Sequence, residues 1–167
     1  MVRPTKSTIQ KRNAAAAGRA VIEAQKARMA ALNEMLARSV PAEHGDPAFF
    51  EICQQIWAIL GQFLGELNPV TFGYLTKPEE LATAWASCMP AQVGLHPMHH
   101  SLPMKRLVSS VAHEGLHILE FQQGRQWPRD GTSTKHDHGP FFRAKCAELI
   151  EISGGLIQPE CKEFDHL

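Results

Sequence analysis

The sequence predicts an α+β protein in which helices pack on a small antiparallel sheet. Apolar residues recur at helical spacing along 47–67, 103–123 and 140–152. Between them, short stretches from Val70 to His96 are rich in β-branched and aromatic residues and are broken by prolines. The 167 residues, 44% hydrophobic and 20% charged, suffice for one globular domain with an appended helix.

Residues 5–38 are dominated by Ala, Lys, Arg, Gln, Glu and Met, which favour a long helix. Its apolar positions (Val21, Ile22, Met29, Leu32, Met35, Leu36) lie only in the second half, so the first half is expected to be frayed or free. Pro41 and Gly45 then break the chain. Asp46 is a good N-cap and Pro47 suits the first helical position of a second helix, which Asn68–Pro69 is expected to end. Its apolar face is Ile52, Ile56, Leu60, Phe63, Leu64 and Leu67. "VTFGYL" (70–75) and "AQVGLH" (91–96) read as strands, whereas the alanines of "ATAWASC" (82–88) suit a helix equally well. Helical spacing returns from Pro103 and stops at Gly124; a long polar connection (124–139) leads to a last helix from Pro140 to Gly154–Gly155.

Charge divides the chain. Residues 1–38 hold eight Lys/Arg against Glu23 and Glu34, a net +6, while the rest carries nine basic against fifteen acidic residues, a net −6. A basic arm, 1–40, on an acidic body, 41–167, points to an anionic partner, and the basic residues from Arg3 to Arg38 are a candidate nucleic-acid contact. The arm lacks aromatic residues, so such a contact would be electrostatic and without base readout. No stretch approaches the roughly 20 apolar residues of a membrane span, and no secretory h-region is visible; no membrane contact is expected. Cys53, Cys88, Cys146 and Cys161 form no C-x-x-C pair and read as reduced, mostly buried thiols of a cytoplasmic protein.

The segment that carries chemistry is "VAHEGLHILE" (111–120). Four residues of helix turn about 40° past a full circle and rise about 6 Å, so His113 and His117 share one face. Glu114 lies about 100° around from His113, poorly placed to ligate with it and well placed to act on a nearby water. Two neutral nitrogen donors and one carboxylate base are what a hydrolytic zinc site needs. The plain alternative is a helix that happens to carry these residues, but burying two imidazoles and a carboxylate among Ala112, Leu116, Ile118 and Leu119 is costly without an ion. A metzincin would need a third histidine at 123, which is a glutamine. Two candidates for a third ligand remain: His138 in "KHDHGPFF", and Glu148, which would make a gluzincin-like set.

"AHEGLH" followed after a loop by "HGPFF" and a short helix resembles the SprT-like metalloprotease family, which includes Spartan. The resemblance covers roughly residues 46–155 and includes a strand of the type "VGLHP" before the metal helix. It implies a zincin-like catalytic domain over 41–167, with the HExxH helix central. It implies His113, His117 and His138 as Zn2+ ligands, Glu114 as catalytic base, and proteins, including proteins associated with DNA, as substrates. It favours His138 over Glu148, and over His136, which lacks the following Gly-Pro. Asp137 departs from the glycine often found there, 20 residues separate His117 from His138, and no cysteine-rich zinc ribbon is present. The rival function is a non-enzymatic zinc-stapled binding module, which would have no use for Glu114. Asp130, Asp137 and Glu120 are candidate partners of the ligand histidines, and Tyr74 is the candidate oxyanion stabiliser. "HPMHH" (96–100) reads as a polar turn in preference to a second metal site, Trp57 and Trp85 as core, and Trp127 as a cleft or loop anchor.

Overall fold

A computed structural model of the chain describes residues 6–65, 67–75, 84–88, 90–124 and 138–159. Among them are four α-helices and one three-stranded sheet: α1 (Lys6–Leu36), α2 (Pro47–Leu64), β1 (Thr71–Tyr74), β2 (Ala84–Cys88), β3 (Ala91–Leu95), α3 (Met104–Gln122) and α4 (Pro140–Ile152), with a 3-10 turn at Pro97–Ser101. The class is α+β. No described helix is long and apolar enough to cross a membrane.

α1 is continuous, as its composition favours, but only its C-terminal turns carry packing residues. Leu32 and Met35 are buried, whereas every residue from Gln10 to Ala24 is exposed. Contact with the body begins where Gln25 Nε2 donates to the Ile152 carbonyl at 2.9 Å and Arg28 to the Gln62 carbonyl at 2.8 Å. α2 starts as expected: the Asp46 carboxylate accepts from Ala48 N–H at 2.9 Å and Pro47 opens the helix. It ends before Asn68–Pro69, because Gly65 takes a left-handed φ of 87° that stops the helix at Leu64.

The sheet corrects the expectation of an all-antiparallel one. Its order is β1-β3-β2; β2 and β3 pair antiparallel, but β1 pairs parallel with β3, Phe72 facing Val93. The short link between β2 and β3 forces those two to run in opposite directions. β1 instead joins the far side of β3, so the chain crosses the sheet before β2 begins. The alanine-rich stretch over 84–88 is a strand, its hydrogen bonds completed by β3.

Thirteen of the nineteen residues of α3 are buried, which makes it the axis of the core. It packs against α2, β2 and α4. The approach of α2 depends on Gly115, where a Cβ would stand 3.3 Å from the Trp57 ring. Trp57 is core, as expected, with its indole N–H donating to the Asn68 carbonyl at 3.1 Å. The Trp85 side chain and Trp127 lie outside the described residues.

The cysteines need a second correction. Cys53 is a free, buried thiol that burial pushes up to about 12. Cys146 is disulfide-bonded, so the four cysteines are not all reduced. Local spacing shows tight C-x-x-C pairs but not a bond formed between cysteines far apart in sequence.

Candidate metal centre

Two elements bring the site together. α3 presents His113 and His117 one turn apart, and His138 stands two residues ahead of α4. His113 Nε2 lies 3.2 Å from His117 Nε2 and 3.2 Å from His138 Nε2, and the ligand atoms of all three lie within 4.8 Å of one another. Four-coordinate zinc with bonds of about 2.05 Å separates neighbouring ligand nitrogens by about 3.4 Å, so the observed spacing fits such an ion. His113 Nε2 stands within hydrogen-bond distance of two other ring nitrogens, and N–H···N bonds to it cannot satisfy all three at once. The residues present therefore fit a bound metal.

Burial reinforces this. It pushes the imidazole of His113 down to about 4, with His138 adding to the effect, and that of His117 down to about 3, with His113 and His138 adding. Both rings are neutral near pH 7, the form that ligates. The Nδ1 atom of His113 is buried without a hydrogen-bond partner among the described residues. Of the expected outer partners, Asp130 and Asp137 lie outside the described residues, as does His136, and Glu120 is half-buried on α3.

Glu114 is 6% exposed, and burial raises its carboxyl to about 8. It is not among the converging donors. Glu148 is not at the site either: it sits on the exposed side of α4, where its carboxylate takes Lys145 Nζ at 2.6 Å. That geometry removes it from the ligand set.

"HPMHH" forms the polar turn expected of it. His96 Nδ1 accepts from Met98 N–H at 2.9 Å and caps the 3-10 turn, His99 is 1% exposed, and no second three-residue ligand group occurs among the described residues. His100 Nδ1 donates to the Pro41 carbonyl at 2.5 Å, which leaves its Nε2 to accept from the Tyr74 hydroxyl at 2.8 Å. Tyr74 also accepts from Gly45 N–H at 3.1 Å and stacks on His44. Its hydroxyl proton is thus committed to pinning the 41–45 connection, and it does not serve as an oxyanion donor.

Two residues of the site escaped sequence reasoning. Phe142 is fully buried with its ring against all three imidazoles, and Arg143 Nε donates to the His138 carbonyl at 2.8 Å. The spacing of four between His138 and Phe142 was the available signal for the first.

Fold and site together define an α+β protein with a partly buried three-histidine centre able to hold a metal ion. No protein-family model, no curated protein and no solved structure matches the chain.

Proposed function

We propose that the chain is a zinc-dependent metallopeptidase of SprT-like, zincin type, acting on proteins associated with DNA. The observation that carries the proposal is the convergence of three imidazoles, His113 Nε2 standing 3.2 Å from both His117 Nε2 and His138 Nε2, with a buried carboxyl, Glu114, next in the chain to His113 and not one of the donors. His113, His117 and His138 would hold the ion. When bound, zinc supplies a Lewis acid that polarises a carbonyl and acidifies water. The positive charge of the ion would draw the Glu114 carboxyl back down from the raised value of the metal-free fold, and the carboxylate would then take the proton from the attacking water and return it to the leaving amine. Its burial keeps that proton from bulk solvent. A structural staple would need the histidines but not Glu114, which favours the enzyme over the binding module.

Two further features support a protein substrate near nucleic acid. Among the described strands β2 lies at an edge of the sheet and packs against α3, a place where an extended peptide can add by main-chain hydrogen bonds. Arg12, Arg19 and Lys26 recur every seven residues on α1, all exposed, and so line one side of a helix able to track phosphates. Lys26 is partly neutralised by Glu23 at 2.9 Å.

The test is a pair of variants on the full chain. Glu114→Gln should keep one zinc per chain and lose peptide hydrolysis by about 10²- to 10⁴-fold, the usual worth of a positioned acid–base. His138→Ala should lose the zinc itself. Undiminished cleavage by Glu114→Gln would remove the peptidase reading.

A further inference from the structure

We infer that Phe142 is the positioning residue of this centre: it wedges the three imidazoles apart from behind and sets the spacing that selects a four-coordinate ion. The inference rests on the metal-binding part of the reading above and not on the peptidase chemistry.

The geometry is as follows. The centres of the three imidazole rings lie 4.9, 4.8 and 5.3 Å from one another. The Phe142 ring centre is 5.0 Å from His113, 4.5 Å from His117 and 4.5 Å from His138. A ring nearly equidistant from three others sits close to their common axis, here about 3.7 Å to one side of the plane of their centres. An ion bonded to all three Nε2 atoms would lie about 1.3 Å off that plane. On the Phe142 side it would come within about 2.4 Å of the ring centre, far inside contact distance. The ion and any further ligand are therefore confined to the opposite face, and Phe142 closes the near one.

The wedge also sets an angle. Nitrogens 3.2 Å apart, each about 2.05 Å from a shared ion, subtend about 103° there, closer to tetrahedral than to octahedral. Rings free to lean together behind the ion would accept the smaller octahedral angle. Phe142 cannot yield to that motion, because it is fully buried and packed on Leu116, Cys146 and Leu64. Arg143, one residue on, grips the His138 carbonyl and keeps that ligand in step with the helix.

The experiment uses cobalt(II) loaded one-to-one into the full chain, with its visible ligand-field band read alongside cobalt and zinc affinity against a chromophoric chelator. Wild type should show the intense band of four-coordinate cobalt. Phe142→Ala should lose most of that intensity and bind both metals about 10- to 100-fold more weakly, as when an outer-shell partner is lost. Phe142→Leu and Phe142→Val should fall between in order of size, and they carry the test if the alanine variant does not fold. Leu149→Ala, which opens the core elsewhere on α4, should lower thermal stability and leave the band unchanged. The inference is overturned if Phe142→Ala keeps band and affinity within about twofold of wild type, or if Leu149→Ala dims the band as much. Absence of stoichiometric cobalt in wild type overturns it together with the metal centre. A chain that shows the band but cleaves no peptide supports it and sinks the peptidase proposal alone.

Discussion

Gly115 lies between the two metal-binding turns of α3, and replacing it tests how the site is propped. A methyl there would stand 3.3 and 3.7 Å from two atoms of the Trp57 ring and 4.0 Å from Leu60 Cδ1. The indole is 6% exposed, hydrogen-bonded to Asn68 and edge-on to Phe72 at 6.0 Å, so it can move by tenths of an ångström and little more. Alanine gains about 1 kcal/mol of helix propensity over glycine, and the strained contact offsets most of it, so Gly115→Ala should lie within about 1 kcal/mol of wild type. Valine cannot be fitted by a small shift. Overpacking should cost Gly115→Val about 2–3 kcal/mol. Relieving the contact with Trp57→Leu should make Gly115→Ala stabilising by about 1 kcal/mol in that background, a coupling on the order of 1 kcal/mol, and should also cut the valine penalty. Urea unfolding of chelator-treated protein measures all the corners of the cycle. A coupling below about 0.5 kcal/mol would refute the reasoning, since the two residues would then not be in contact that matters.

Four other outcomes are expected. In metal-free protein the unfolded histidines titrate near 6.5, while those of His113 and His117 sit at about 4 and about 3 in the fold. Their contribution is thus complete above pH 6.5 and lost as pH falls toward those lower values, on the order of 2 kcal/mol each by pH 5; unfolding curves that stay flat from pH 7 to 4.5 would contradict this. Bound zinc should leave over the same acid window, because protons compete for the same nitrogens. Glu148→Ala should retain full zinc by elemental analysis, since that carboxylate faces Lys145; a loss of metal would return it to the ligand set. Reversing Arg12, Arg19 and Lys26 to Glu should weaken binding to duplex DNA at low salt and reduce the log–log salt slope by about 3, and an unchanged slope would exclude α1 as the phosphate contact.

Much of the site was legible because its signals are local. One helical turn fixes how His113, Glu114 and His117 relate, and Gly139–Pro140 marks where the last helix starts beside His138. The caps at Asp46 and Pro47 likewise needed no tertiary knowledge. What stayed hidden was set by partners distant in the chain. The direction of β1 follows from which edge of β3 it reaches, and no property of "TFGY" encodes that. The Cys146 disulfide and the binding of Tyr74 by His100 are also meetings of remote residues. Glu148 remained open from spacing alone, until the way α4 turns its faces put the carboxylate in solvent and Phe142 inward.

That orientation of α4 links fold to chemistry. Leu149 and Ile157 anchor the later part of the chain in the main core, together with residues of α2 and α3. The first turns of α4 belong instead to a smaller cluster, in which Phe142 and Cys146 meet Leu116 of the metal helix. Leu116 stands one residue before His117, and Phe142 four residues after His138, so the same few side chains that dock α4 also bear on the distance between His138 and the two histidines of α3. Packing and coordination are therefore not separable here. An ion held by His113, His117 and His138 would tie the start of α4 to α3 beside the small cluster of Leu116, Phe142 and Cys146.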